Sequence, residues 1–129
     1  MKEHEDTIRE FLIERSWHNL KPANLAKSIS IESSELLEIF QWTDQSLEEV
    51  KNDSQMMEQI KKELADVLNY CFNMSVLLGL DTGQIMKDKL EKAKEKYPAH
   101  LFKDRNPAQD AGSENVYWEI KREYRQKGE

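Results

Sequence analysis

The sequence predicts an all-α protein with four main helices and a short helical extension at its C-terminus. Apolar residues recur every three or four positions through several long segments, which is the spacing of one face of a helix. Only four Gly and three Pro interrupt the 129 residues, so the chain has few turns. Hydrophobic residues make up 38% and charged residues 34% of the chain, as is typical of a soluble domain with one core.

The first two helices are predicted from their start signals and from their apolar faces. The first helix is expected to begin after Asp6, whose side chain suits a cap, and to run to about Trp17. The second is expected from Pro22 to about Trp42, because proline fits the first turn of a helix, where its missing N–H is not needed.

Two further helices follow in the middle of the chain. The polar segment after the second helix contains a short helical turn at about 47–50. The third helix, over about 55–78, is apolar on nearly every side in its second half, so we expect it to be central or half covered by another subunit. Gly79 ends it, and a fourth helix extends from the cap Asp81 to the residue before Pro98.

The C-terminal tail differs from the rest in composition. The segment KDRNPAQDAGS is typical of a linker, and Ser113 is the expected cap of a last short helix that carries aromatic and aliphatic residues on one face. We therefore place the main domain at residues 1–104 and a partly helical C-terminal extension at residues 105–129.

Composition excludes several classes of function. The single cysteine, Cys71, cannot form an intrachain disulfide, so nothing indicates an oxidising compartment. The N-terminus lacks the apolar region of a signal peptide, and the most hydrophobic stretch, 74–80, is too short to span a bilayer. We expect a cytoplasmic protein without a membrane partner. The net charge of −6 and the pI near 5.2 argue against a nucleic-acid polymer as ligand, although a small anion can bind where a metal reverses the local charge.

Two acidic residues stand where the helical spacing predicts core residues. Glu32 lies in the middle of the apolar stripe of the second helix, and Glu63 lies in the middle of that of the third. Glu35 and Asp66 follow three residues later and lie beside them. The stripes are Leu25, Ile29, Glu32, Leu36 and Ile39 on the second helix, and Met56, Ile60, Glu63, Val67, Tyr70, Met74 and Leu77 on the third. Packing of the two faces would bring four carboxylates together.

Such a cluster needs compensation, because an ionised carboxylate is costly to desolvate and four of them repel one another. A structural interpretation would pair them with buried Lys or Arg, but neither stripe contains a basic residue. Mg²⁺ is the simplest alternative, since it takes oxygen ligands and is commonly shared between protein carboxylates and substrate phosphates. We therefore predict a metal site at Glu32, Glu35, Glu63 and Asp66.

Five motifs, in order, make this chain resemble the MazG-like all-α nucleotide pyrophosphohydrolases, including their dCTP pyrophosphatase branch. The ExxE and ExxD metal motif of that family corresponds to Glu32, Glu35, Glu63 and Asp66, with 27 residues between the two halves. The motifs are ERSW at 14–17, PANLA at 22–26, IESSELLEIFQW at 31–42, ELADVLNY at 63–70 and KLEKAKEKYPAHL at 89–101.

The resemblance implies a four-helix-bundle-like domain of MazG type that assembles as a homodimer or homotetramer. It implies Mg²⁺-dependent cleavage of a nucleoside triphosphate between the α and β phosphates, with a monophosphate and pyrophosphate as products. A deoxynucleotide such as dCTP is the expected substrate. Glu35 or Glu38 is expected to orient or deprotonate the attacking water, unless the metal alone activates it.

The resemblance also extends to residues that contact the substrate in the family. Lys89 and Tyr97 match positions suited to phosphate oxygens, and Trp17 and Trp42 match positions from which an indole can stack on a base. Asn69 and Tyr70 follow the ExxD motif closely enough to reach the same cleft. For each of these, an ordinary packing or solvated role is the alternative.

Two departures from the family leave the preferred base open. Ala93 stands where many relatives carry Asn, and Lys21 stands where the dCTP-preferring branch usually has His. A relative acting on another phosphoanhydride, such as dUTP or phosphoribosyl-ATP, is therefore an alternative, and so is a non-catalytic helical module that binds a protein partner. A di-iron centre is disfavoured, because none of the three His has the Glu-x-x-His spacing.

Overall fold

The computed structural model describes residues 1–103 and 116–128. Within these ranges the chain forms six α-helices, one 3-10 turn and no strand, so the all-α prediction is confirmed. The elements are α1 Lys2–Glu14, α2 Pro22–Glu38, α3 Leu47–Lys51, α4 Ser54–Leu77, α5 Thr82–Lys96, the 3-10 turn Ala99–Leu101 and α6 Val116–Gln126. No helix among the described residues is long and apolar enough to cross a membrane.

The chain divides into two compact units, Met1–Gly83 and Gln84–Glu129. The predicted boundary between residues 104 and 105 and the predicted cap Ser113 lie outside the described residues, so both stay predictions. The C-terminal helix itself is present as α6. In the second unit, the ring of Tyr97 stacks on that of Tyr117 with centroids 5.1 Å apart, which joins the end of α5 to α6.

Three helix ends differ from the sequence prediction. One is the end of α1, which lies at Glu14 rather than at about Trp17, because the left-handed Ser16 stops the helix. The helix α1 begins at Lys2, so Asp6 is not its cap but lies inside the helix, where its carboxylate pairs with Arg9 at 3.1 Å. The helix α2 ends at Glu38 rather than Trp42, because the next backbone bonds are of the tighter i to i+3 type, from Phe40 N to Leu37 O at 3.0 Å and onward. The predicted turn at 47–50 forms as α3, with a Ser46 and Glu49 capping box.

The helix α4 is the centre of the first unit, as its apolar composition predicts. It packs against α1, α2 and α3, with its most extensive contact along α2. Ile8, Leu12 and Val76 form a small buried cluster between α1 and α4, and Phe72 and Leu77 pack against it. Large apolar residues of α4 nevertheless remain exposed, including Leu64 at 42% and Leu68 at 49%.

The turn after α4 is a Schellman motif that requires Gly79. Its N–H donates to Val76 O at 3.1 Å, and the N–H of Leu80 donates to Ser75 O at 2.9 Å. Gly79 has φ of 70°, a left-handed conformation that costs glycine little because it has no Cβ. The turn brings Thr82, the first residue of α5, back beside Ser75, with their hydroxyl oxygens 2.7 Å apart.

Glu5 connects α1 to this turn through hydrogen bonds. Its carboxylate is buried and accepts a hydrogen bond from the backbone N–H of Thr82 at 2.8 Å. The side-chain and backbone hydrogen bonds from Thr82 hold the pKa of Glu5 below its ordinary value of 4.5, although burial opposes them. Since an ionised carboxylate only accepts, the Thr82 hydroxyl donates to Glu5 and therefore accepts from the Ser75 hydroxyl.

We predict that Glu5→Gln lowers the melting temperature at neutral pH by a few degrees, because the amide accepts these hydrogen bonds more weakly than the carboxylate. A lowered folded-state pKa contributes stability that is present above the unfolded value of 4.5 and is lost as the pH falls through the folded value. The difference between wild type and variant, measured by thermal unfolding, should therefore shrink below about pH 4.5. Glu3→Gln, at an exposed position in the first turn of the same helix, is the matched control. A difference in melting temperature between the wild type and Glu5→Gln that does not depend on pH would contradict the lowered pKa of Glu5.

Candidate active site

Packing of α2 along α4 brings three carboxylates together. One oxygen from each of Glu32, Glu63 and Asp66 lies within 4.8 Å of the other two, and all three residues are half-buried. The two predicted stripes thus face each other and bring three of the four predicted carboxylates into one group, which does not include Glu35. This spacing of oxygens is compatible with a single cation between them.

The charges of these carboxylates are poorly compensated by the protein. Burial raises the pKa of the Glu63 carboxyl, and a hydrogen bond with Glu35 and the charges of Glu35 and Asp66 raise it further, against the opposing charge of Lys62. The ammonium of Lys62 lies 3.9 Å from Glu63 Oε1, but its side chain is 77% exposed and is well hydrated. Neighbouring carboxylates rather than a buried base surround Glu63.

Two oxygens of the cluster have no hydrogen-bond partner among residues 1–103 and 116–128. Glu32 Oε2 and Glu63 Oε2 are buried and unpartnered. A buried acceptor without a donor costs free energy that a divalent cation would recover by coordination. The donor set therefore fits a hard cation such as Mg²⁺, and the structural interpretation with a buried Lys or Arg loses support among the described residues.

The other two acidic residues predicted for the site, Glu35 and Glu38, differ in position. Glu35 is exposed on α2 and close enough to Glu63 to share a hydrogen bond with it, so it lies at the edge of the cluster. Glu38 is the last residue of α2, one turn farther along, and does not belong to the group of three. Glu35 is consequently the better placed of the two to act on a water at the cluster.

A cavity of about 600 Å³ adjoins the cluster and shares Asp66 with it. Its walls come from α1, the segment after α1, the first turns of α2 and the middle of α4. Trp17 and Asn69, both predicted as substrate contacts, line it, and so does Tyr70. The volume is in the range of small-molecule sites, and the mixture of aromatic and amide side chains is typical of them.

Trp17 reaches this cavity because of a strained turn at the end of α1. The N–H groups of Ser16 and Trp17 donate to Ile13 O and Leu12 O, at 3.0 and 2.8 Å, in a second Schellman motif. Ser16 has φ of 57°, a left-handed conformation that costs a non-glycine residue about 1 kcal/mol. The turn folds Trp17 back over α1, where its indole meets the ring of Phe11 edge-on at 5.9 Å.

The other predicted substrate contacts lie elsewhere. Trp42 is 87% exposed, beyond the end of α2, and does not line the cavity. Lys89 is an exposed residue of α5 in the second unit. Tyr97, also in the second unit, is half-buried against Tyr117 and Phe102, and this burial raises the pKa of its phenol. Substrate contact by these three residues stays a prediction.

Sequence reasoning missed several residues that line the cavity, among them His4, Asn24 and Asn73. A signal for Asn73 was present, because Asp66, Asn69 and Asn73 recur at spacings of three and four on one face of α4. His4 had no such signal, since only the packing of α1 on α4 places it there.

The helices and the acidic cluster place the chain among all-α proteins with a carboxylate-lined centre. The profile of the MazG-like family matches residues 27–107, so the chain belongs to the MazG-like family. Mouse (Mus musculus) dCTP pyrophosphatase 1 is 30% identical over a 102-residue alignment that covers 71% of this chain and 55% of the mouse protein. The chain thus spans about half the length of that curated relative. A crystal structure of a pyrophosphatase from Archaeoglobus fulgidus is 42% identical, with a TM-score of 0.65, over 76% of this chain and 92% of that one.

We predict that Mg²⁺ raises the melting temperature of the wild type and that Glu63→Gln loses most of this rise. A ligand that binds only the folded state at about 100 times its Kd stabilises that state by about 2.7 kcal/mol. Without metal, Glu63→Gln should melt no lower than the wild type, because the substitution removes like-charge repulsion. Glu58→Gln, which removes an exposed partner of Lys61 on the same helix, is the control. Strong destabilisation of metal-free Glu63→Gln would instead favour a structural role.

Proposed function

We propose that this chain is a Mg²⁺-dependent nucleotide pyrophosphohydrolase that converts a nucleoside triphosphate to a nucleoside monophosphate and pyrophosphate. The observation that carries the proposal is the group of Glu32, Glu63 and Asp66, with unpartnered buried oxygens, at the edge of a cavity of nucleoside size. Membership of the MazG-like family supports it. The name of the mouse relative supports a deoxynucleotide such as dCTP as substrate.

The four acids of the two motifs have distinct places in this proposal. Glu32, Glu63 and Asp66 would hold Mg²⁺, and Glu35 would complete the ligand set from the exposed edge. Bound there, Mg²⁺ would supply charge neutralisation for the triphosphate and a water of lowered pKa. Glu35 is also our first choice for the group that orients or deprotonates the attacking water, ahead of Glu38, because it lies beside Glu63.

The cavity would hold the nucleoside. Because Asp66 lines the cavity and belongs to the carboxylate group, a base and sugar bound there would lie next to the carboxylates, and the phosphates would extend toward the cluster. Trp17 offers the flat apolar surface on which a base stacks. Lys89 and Tyr97 remain proposed contacts of the phosphate oxygens, and Trp42 remains a proposed base contact.

The exposed apolar face of α4 supports a homo-oligomer, which we propose as a dimer or tetramer. Leu64 and Leu68 are exposed to solvent, whereas the apolar residues of the buried cluster in the first unit are not. A second copy that covers them would remove this apolar surface from water.

We predict that ion-exchange chromatography detects a monophosphate and pyrophosphate after incubation with at least one common NTP or dNTP, and only with Mg²⁺. Glu35→Gln should lose most of the turnover, at least about 100-fold, because it removes both a metal ligand and the proposed base. The same panel ranks the bases and includes dUTP and phosphoribosyl-ATP as alternative phosphoanhydrides. Wild type that binds Mg²⁺ but cleaves none of these compounds would shift the interpretation toward a partner-binding module.

We predict that Trp17→Leu raises KM for the preferred triphosphate about tenfold, since stacking of a base on an aromatic ring contributes about 1–3 kcal/mol. The value of kcat should change much less, because Trp17 does not belong to the carboxylate group. Trp17→Phe keeps an aromatic face and should recover most of the affinity. Steady-state kinetics measure both parameters, and equal KM values for wild type and Trp17→Leu would remove Trp17 from the site.

A further inference from the structure

The cavity contains a polar contact between two helices that the catalytic proposal does not use. His4 on α1 and Asn69 on α4 both line the cavity, and His4 Nε2 lies 3.1 Å from Asn69 Oδ1. With the carboxamide in this orientation, the Nε2–H tautomer of His4 donates the hydrogen bond and Asn69 Oδ1 accepts it. The oxygen of the Asn69 carboxamide is therefore engaged, and its NH₂ group is the part left to serve a ligand.

The imidazole of His4 is exposed but contacts one side chain next to the core. Its ring meets the ring of Phe72 edge-on, with centroids 4.9 Å apart and an interplanar angle of 87°. Phe72 packs against the buried cluster of Ile8, Leu12 and Val76, which connects the His4 ring to the core of the first unit. A carboxamide without a hydrogen-bond partner can rotate by 180° and exchange its donor and acceptor ends. When its oxygen accepts from the Nε2–H of His4, the carboxamide of Asn69 instead keeps its NH₂ group available to a ligand.

We propose that His4 is a positioning residue that fixes Asn69 as a hydrogen-bond donor to a carbonyl oxygen of the bound nucleobase. This inference rests on the proposed function and specifies how its cavity recognises the base. Cytosine, thymine, uracil and guanine carry an exocyclic carbonyl oxygen, which projects beyond the ring and has two lone pairs. Adenine carries an exocyclic amine in place of a carbonyl oxygen, so the NH₂ group of Asn69 finds no exocyclic acceptor on it and disfavours it.

The test is calorimetric titration of the wild type and its variants with dCMP, dTMP, dGMP and dAMP in the presence of Mg²⁺. Asn69→Leu should weaken binding of the carbonyl-bearing monophosphate that binds tightest about tenfold, and His4→Phe about threefold to tenfold, because one oriented hydrogen bond is lost. Binding of dAMP should change by less than about twofold. His4→Gln keeps a donor nitrogen and should recover the wild-type affinity, whereas Asn52→Leu, outside the cavity, is the matched control for the Asn substitution.

A double-mutant cycle separates positioning from ordinary structural support. If His4 acts through Asn69, the variant with both His4→Phe and Asn69→Leu binds no more weakly than Asn69→Leu alone. Three results would overturn the inference. They are losses of affinity that add in the double variant, an equal loss of affinity for dAMP, and no binding of any monophosphate by the wild type. Asn69→Asp adds a test that does not disturb the core: it keeps an acceptor for His4 but offers no donor, so it should weaken the carbonyl-bearing monophosphates selectively.

Turnover of the triphosphates by the same preparations distinguishes this inference from the function on which it rests. Cleavage by the wild type together with base-independent effects of the His4 and Asn69 variants would refute the base contact alone. Selective binding of carbonyl-bearing monophosphates without cleavage of any triphosphate would uphold the contact and refute the hydrolase.

Discussion

The packing of α2 along α4 is the constraint on which the candidate site depends. Apolar stripes on both helices favour this contact, yet each stripe carries a glutamate in its middle, so the same contact that buries Ile29 and Val67 also crowds Glu32 and Glu63. Repulsion between the carboxylates opposes the packing that assembles them. The apolar neighbours must supply enough stabilisation to offset this repulsion, and binding of the proposed cation would therefore be coupled to the stability of the fold.

The cavity depends on a second set of contacts that orient α1. The Glu5 carboxylate joins the first turn of α1 to Thr82, and the left-handed Ser16 closes its other end. His4 is the neighbour of Glu5 in sequence, and Trp17 directly follows Ser16. Each anchor is thus adjacent in sequence to a residue that lines the cavity. Burial is found next to the proposed positioning residue His4 and strain next to the proposed base contact Trp17, as is common where a site must be held in one geometry.

Much of this arrangement was predictable because it is local in sequence. The helical spacing predicts which face of α2 and of α4 is buried, and the acids in those faces stand out without any structural information. Gly79 marks the end of α4 because few other residues accept its backbone conformation. What the sequence could not supply is the contact of His4 with Asn69, since these residues are 65 positions apart and meet only through the packing of α1 on α4. The early end of α2 also escaped prediction, because the apolar pattern continues to Trp42 although the backbone tightens after Glu38.

The charge of the first unit explains why a cation is central to the proposed reaction. Acidic residues outnumber basic ones by 16 to 8 between residues 1 and 83, in a chain whose net charge is −6. A triphosphate approaching this unit is repelled by its overall field and most strongly by the carboxylates beside the cavity. The proposed stacking on Trp17 and the proposed hydrogen bond from Asn69 would act on the uncharged base and leave that repulsion in place. A divalent cation at Glu32, Glu63 and Asp66 would offset most of their negative charge and offer open coordination positions to the phosphates, so recognition of the base and recognition of the phosphates would be separate tasks, one in the cavity and the other at the carboxylates beside it.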